Sequence, residues 1–296
     1  MSILKHKVVM LFTLLCALAI CSVSFASKVI EHNIDWAASV ITVEGNGVAP
    51  ANAATPAQAK MLARRAAIVD GYRNLAEIIK GVQVDSETTV ENLMVANDTI
   101  RSKTNALIQG ARIVKEEYDS YGGGSYVITM AINLFGESHS LAEAVMPAPP
   151  KYLAPEPIPP VETVVISRDP INNPPAKIIE KVVPRGTYTG LIIDCRDIEE
   201  DVSPSMSPML KNESGMYIFK YTNLDHKKVI RQGMVTYSHG DATIGRAGAI
   251  PLIVKAIRLE DHRCNPVLDA ETVALVLKEN ATSRFLENGN VVIMRR

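Results

Sequence analysis

The chain has 296 residues, of which 47% are hydrophobic, with 31 Lys and Arg against 32 Asp and Glu. A net charge of −1 and no concentrated basic run exclude a nucleic-acid binder, whose phosphate contacts call for a basic face. The apolar content is that of a globular protein rather than a disordered one.

Lys5 and Lys7 precede an apolar run from Val8 to Ile20, and Ser24-Phe25-Ala26 supplies small residues at alternate positions, so the first 26 residues read as a secretion signal. Cleavage falls between Ala26 and Ser27. The run is shorter than the roughly 20 apolar residues of a membrane span. Lipid attachment at Cys21 is the alternative, with Ile20 standing where the lipid-transfer machinery takes a small residue. Lys5 and Lys7 leave with the signal, so 29 basic side chains face 32 acidic ones and the mature net charge is −3. Cys16 and Cys21 lie in the signal region, which leaves Cys195 and Cys264 to form one disulfide or to stay as buried free thiols.

Beyond the signal, Val40–Val43 reads as a strand ended by Gly45-Asn46-Gly47. A long helix follows from Thr55, a capping residue with Pro56 in the first turn, to Gly81 as a left-handed cap. Met61, Ile68, Tyr72, Leu75 and Ile79 form its large apolar stripe, and Ala59, Ala63 and Ala66 form a small-residue face open to close approach. Val82, Val84, Thr88 and Val90, at even spacings, fit a strand. Asn97 or Asp98 caps a second helix ended by Gly110, and Ile113–Tyr118 with Tyr126–Phe135 make a hairpin around Gly122-Gly123-Gly124. Strands and helices in this order give an α+β domain with helices packed on a mainly antiparallel sheet.

The run from Ala63 to Leu75, ARRAAIVDGYRNL, its continuation into Gly81-Val82-Gln83-Val84 and the later hairpin resemble the LPP-twenty-like lipoprotein domain of bacterial envelope proteins. The N-terminal domain of flagellar assembly protein T, which decorates the outer basal body, looks similar. The resemblance covers roughly residues 33–136. It implies a periplasmic or outer-membrane-associated location, a non-enzymatic structural role and other envelope proteins as partners, with peripheral membrane association open. It transfers no binding residues.

Eleven of the 17 prolines fall between Met146 and Pro184, a composition that favours extended, semi-rigid conformations. The segment reads as a linker, with a docking ligand for an aromatic groove as the sharper alternative. Short strands at Glu162–Ser167 and Lys177–Val183 interrupt it. The expected organisation is therefore a signal peptide over 1–26, the LPP-twenty-like α+β domain over 27–145, a linker over 146–184 and a second α+β domain over 185–296.

In that second domain Tyr188–Cys195 reads as a buried strand, and Met206–Leu210 with Met216–Tyr221 as hairpin arms around Asn212-Glu213-Ser214-Gly215. A short helix follows Asp225, Pro251–Leu259 is a strand, Asp269–Asn280 a helix and Val291–Met294 the last strand. Chemistry is sought around Asp194, Asp197, Glu199, Glu200 and Asp201. Asp194 stands at the exit of an apolar strand, where catalytic or metal-binding carboxylates are found. The run lacks the glycine and terminal glutamate of a calcium loop, so it reads first as a solvated acidic loop. Asp194 and Asp197 remain the carboxylates of the alternative reading, a periplasmic hydrolase or ligand-binding module. His226, His239 and His262 have no zinc-site spacing, and Tyr237-Ser238-His239-Gly240 lacks the first glycine of a nucleophile elbow. With no catalytic, cofactor-binding or metal-binding motif, the chain reads as an exported cell-envelope protein with a structural, assembly or protein-interaction role.

Overall fold

The computed structural model describes residues 33–120, 124–146, 148, 188–240 and 245–296. Ala26 and Ser27 at the expected cleavage site, Cys21, most of the proline-rich segment with the two strands expected there, and Gly122-Gly123 of the expected hairpin tip lie outside the described residues. The chain divides into two compact units, with the break between Met146 and Pro147.

The first unit is a helix laid on an antiparallel sheet. Its elements are β1 (Ile34–Asp35), β2 (Val40–Val48), α1 (Pro56–Gly81), α2 (Val90–Ala96), α3 (Asp98–Gln109), β3 (Arg112–Asp119), β4 (Ser125–Asn133) and α4 (Leu141–Val145). The sheet order is β1-β2-β4-β3. Period-two alternation turns Ile41 and Val43 of β2, and Tyr126, Ile128, Met130 and Ile132 of β4, into the core.

Two glycines decide how α1 meets this sheet. A Cβ on Gly45 would lie 2.3 Å from the Ala67 carbonyl oxygen, and one on Gly47 2.1 Å from that of Ala63, so helix backbone rests on strand backbone. The buried side of the helix accordingly runs Ala63, Ala67, Gly71, and only then Leu75, Ile78 and Ile79. This corrects the expected stripe. Met61 is 72% exposed, and Ile68 and Tyr72 are half-buried, because β2 leaves no room for large side chains until it presents Val43 and Ile41 in place of glycine. The same contact explains why β2 does not stop at Gly45-Asn46-Gly47 but runs to Val48.

The helix ends follow local hydrogen bonding. Thr55 Oγ1 accepts from Gln58 N–H at 3.1 Å, and Gln58 Oε1 accepts from Ala54 N–H at 2.8 Å, which ties down the first turn. Gly81 is the last helical residue, and the cap is Val82 in extended conformation rather than a left-handed glycine. Val82, Val84 and Val90 are buried, yet they form no strand. Asp85 Oδ1 accepts from Glu87 and Thr88 N–H, folding the segment back, and Thr89 then caps α2, so Val90 opens a helix. Asn97 caps α3 and Gly110 follows its end, as expected.

The second unit contains β5 (Gly190–Asp194), β6 (Leu210–Asn212), β7 (Tyr217–Phe219), α5 (His226–Gln232), β8 (Thr236–His239), β9 (Pro251–Lys255), β10 (Arg258–Glu260), β11 (Asn265–Leu268), α6 (Ala270–Ser283) and β12 (Val291–Arg295). One sheet, β10-β11-β6-β7, is antiparallel at both ends with a parallel pair between; the other, β8-β12-β5-β9, is parallel throughout. The α+β class holds for both units, and the parallel sheet departs from the antiparallel pairing expected. The physical reason is spacing, since β5, β8, β9 and β12 are separated by segments long enough for crossovers. Central β12 is buried along its whole length, and β5 as far as Ile193, as strands covered on both faces should be.

The apolar run Pro251–Leu259, expected as one strand, is divided between the sheets. Ala256 N–H donates to the Asp194 carbonyl beside the parallel sheet, and Ile257 N–H donates to the Val267 carbonyl beside the other. Beneath β5, a Cβ on Gly190 would fall 2.5 Å from Ala247 Cα, so the short 3-10 turn at Gly245–Ala247 packs directly on the strand.

Candidate functional site

All four strands of the parallel sheet run the same way, so Asp194, Lys255, His239 and Arg295 stand at one edge of it. The carboxyl ends of parallel strands are the usual place for a ligand site. Here the side chains consume one another. Asp194 Oδ1 accepts from Arg196 Nε at 2.9 Å and Oδ2 from Arg196 Nη2 at 2.8 Å. These bonds from Arg196 hold the Asp194 carboxyl below its ordinary value, the opposite of what a general acid needs.

Asp197 pairs with Lys255 at 2.6 Å, both side chains largely in solvent. Asp201 Oδ2 accepts from Arg295 Nη2 at 2.8 Å and its Oδ1 from Arg296 N–H at 3.1 Å, while Arg296 Nη1 donates to the Glu199 carbonyl at 2.8 Å. The loop expected as a solvated acidic run is thus a clasp, fastened by cations to the ends of β9 and β12. Asp194 and Asp197 each hold a separate cation and do not form a carboxylate pair.

The histidines do not join them. His226 Nδ1 is hydrogen-bonded with the Tyr221 hydroxyl, His239 Nδ1 with the Arg296 carbonyl, and His262 is exposed. Among the described residues, no group of three or more His, Cys, Asp and Glu side chains is placed to hold a metal ion. Ser238 of the weak serine motif sits in β8 and donates to the Gly240 carbonyl. Cys195 and Cys264 are both buried free thiols. Burial first, and the Asp194 and Asp201 charges second, push the Cys195 thiol up to about 12.

Three features here carried no sequence signal. Lys211, its side chain 9% exposed, pairs with Asp261 at 2.5 Å and lies over the Tyr217 ring. Asp261, His262 and Arg263 all have left-handed φ, forming a tight turn between β10 and β11. Arg246 donates to the carbonyls of Gln232, Gly233, Met234 and Gly289, pinning the end of α5 to the turn before β12.

In the first unit, Arg64 of α1 grips Glu116 of β3 through Nε at 2.8 Å and Nη2 at 2.7 Å, and the Tyr126 hydroxyl donates to Glu116 Oε2 at 2.6 Å. Those donors pull the Glu116 carboxyl down to about 2. A cleft of about 420 Å³ opens between α1 and β2, lined by Asn33, Thr42, Glu44, Asn74, Glu77 and Ile78 among others. A second, of about 330 Å³, lies between α3 and the start of α4, with Lys103, Leu107, His139 and Glu143 on its walls. Ser138, Ser140 and Glu143 stand beside His139 in the second, where Ser140 Oγ donates to the Gly136 carbonyl and Glu143 Oε2 accepts from the His139 main-chain N–H.

Helix on antiparallel sheet, joined through an Ala-Gly seam, is the architecture of the segment that matches a known family. Residues 49–131 match the LPP20 lipoprotein family, so the first unit carries an LPP20-like domain, and the coarse assignment that follows is an exported, envelope-associated protein. In the second unit, residues 190–296 match the family described as the second domain of Treponema pallidum Tp0624. That match begins at the first residue of β5 and spans both sheets. No curated protein matches the chain.

Proposed function

We propose that this chain is a structural or assembly protein of the bacterial cell envelope, acting in the periplasm or at the outer membrane through contacts with other envelope proteins. The observation that carries this reading is the LPP20-like domain over residues 49–131, on a chain whose first 26 residues read as a secretion signal. The hydrolase or ligand-binding alternative draws no support from Asp194 and Asp197, because each carboxylate is already neutralised by its own cation.

Cell fractionation followed by affinity purification from the envelope tests the proposal. The protein is expected in the envelope fraction with reproducible protein partners; recovery as a soluble cytoplasmic protein overturns it. Intact mass on the same sample distinguishes cleavage after Ala26 from a lipid on Cys21. Association with the flagellar basal body is the finer form of the reading, and normal motility with intact basal bodies after loss of the gene would count against it.

A further inference from the structure

The side of α1 turned away from the sheet carries a pattern that its packing does not use. Ala63, Ala67 and Gly71 meet β2, and on the opposite side Leu62, Arg65, Val69, Arg73, Ala76 and Lys80 follow one another at spacings of three and four. That is one continuous stripe about 27 Å long. Every residue in it is apolar or cationic. Val69 is 60% exposed and Leu62 37%, with the exposed Met61 beside them. Arg65, Arg73 and Lys80 are exposed, and none of the three forms an ion pair.

The other charges of α1 are turned to its flanks. Arg64 is bound to Glu116 and Lys60 lies over the Tyr118 ring, both on the β3 side. Asp70 accepts from Asn46 N–H and from Asn74 on the β2 side, and Glu77 lines the cleft there. Three positive charges and no negative one thus share a stripe with large apolar side chains, on a chain whose mature net charge is −3. A merely solvated helix face would mix acids with bases and hide Val69. A bilayer surface offers anionic head groups with acyl carbon just beneath them, the complement of cations and apolar side chains on one ridge.

We propose that this stripe is a membrane-contact face. It lies along an anionic phospholipid surface, with Met61, Leu62 and Val69 entering the head-group region and Arg65, Arg73 and Lys80 beside the phosphates. The inference goes beyond the protein contacts proposed above and rests on the same envelope location.

The probe is a vesicle of equal parts phosphatidylglycerol and phosphatidylcholine, sedimented with the unlipidated chain from Ser27 onward. The chain should bind these vesicles, release them as salt is raised, and leave pure phosphatidylcholine vesicles unbound. Each cation near such a surface contributes about fivefold, so the combined Arg65→Gln, Arg73→Gln and Lys80→Gln chain should bind about a hundredfold more weakly. Val69→Asp should cost about fivefold or more. All four positions are exposed, and an unchanged urea transition of Trp36 emission checks that the fold is kept. Removing three exposed cations from the second unit, by Lys227→Gln, Arg263→Gln and Lys278→Gln, should leave binding unchanged. Equal binding to both vesicles, no binding to either, equal loss in the two triple variants, or full binding by the Val69→Asp chain overturns the proposal. If vesicles are not bound while the α1 triple variant loses envelope proteins on purification, the stripe docks an acidic protein and the lipid face is refuted. A cytoplasmic location refutes the envelope role whatever the vesicles do.

Discussion

Glu116 shows how far a single exposed ion pair reaches when a third group joins it. Arg64 and Tyr126 both donate to its carboxylate, and their bonds hold it at about 2. A carboxyl depressed in the folded state stabilises the protein above its unfolded value of about 4.3. That contribution disappears as pH falls toward 2. Carbon-13 NMR should find the Glu116 carboxyl midpoint near 2, and Tyr126→Phe should raise it. The urea midpoint of the Glu116→Gln chain should fall less than that of the native chain between pH 4.5 and 2; a native Glu116 midpoint near 4 would sink this account. None of this was legible in the sequence, because Arg64 and Glu116 are brought together only by the packing of α1 on the sheet. Asp194 and Asp197 illustrate the converse. Their position at a strand exit was legible, but their neutralisation by Arg196 and Lys255 depends on how the loop folds and on the register of β9 beside β5.

At the level of elements, the N-terminal caps Thr55, Asn97 and Asp225 were readable because they are local, and each caps the helix that follows. The buried face of α1 was misread because hydrophobicity ranks Met61 above Ala67, whereas the surface that receives the helix is made of glycine. Gly45→Ala should therefore cost about 3 kcal/mol or prevent the first unit from folding, since its Cβ would meet backbone atoms that cannot move aside. Gly71→Ala should cost far less: its nearest neighbours are the ends of the Met130 and Ile128 side chains, and alanine favours the helix by about 1 kcal/mol. Urea titrations of the two variants check the order, and a larger loss for Gly71→Ala would refute the seam. β8 and β11 went unseen for another reason. Thr236–His239 is mostly polar and Asn265–Leu268 contains Pro266, so neither has the pattern of an isolated strand.

Across the whole molecule the two units carry separate natural probes. The single tryptophan, Trp36, belongs to the first unit, and Cys195 and Cys264 belong to the second. In urea, Trp36 emission should report opening of the first unit and thiol alkylation opening of the second. Native protein should alkylate at neither cysteine, given their burial. Gly45→Ala should shift the tryptophan transition and leave the alkylation profile unchanged; movement of both together would mean that the units open as one. The two-domain α+β organisation was legible from composition and punctuation. The parallel sheet was not, because which strands become neighbours is decided by crossovers rather than by any one segment.

That sheet also sets how the second unit would bear tension. β5, which the chain enters from the proline-rich side, lies against β12 in parallel register from Leu191↔Val291 to Asp194↔Met294. A pull on the Gly190 end of β5 and the Arg295 end of β12 would act at opposite ends of this pair. It would slide the strands along each other and load their hydrogen bonds together, instead of peeling them apart one at a time. The central pair of the sheet is thus oriented to resist being drawn out lengthwise.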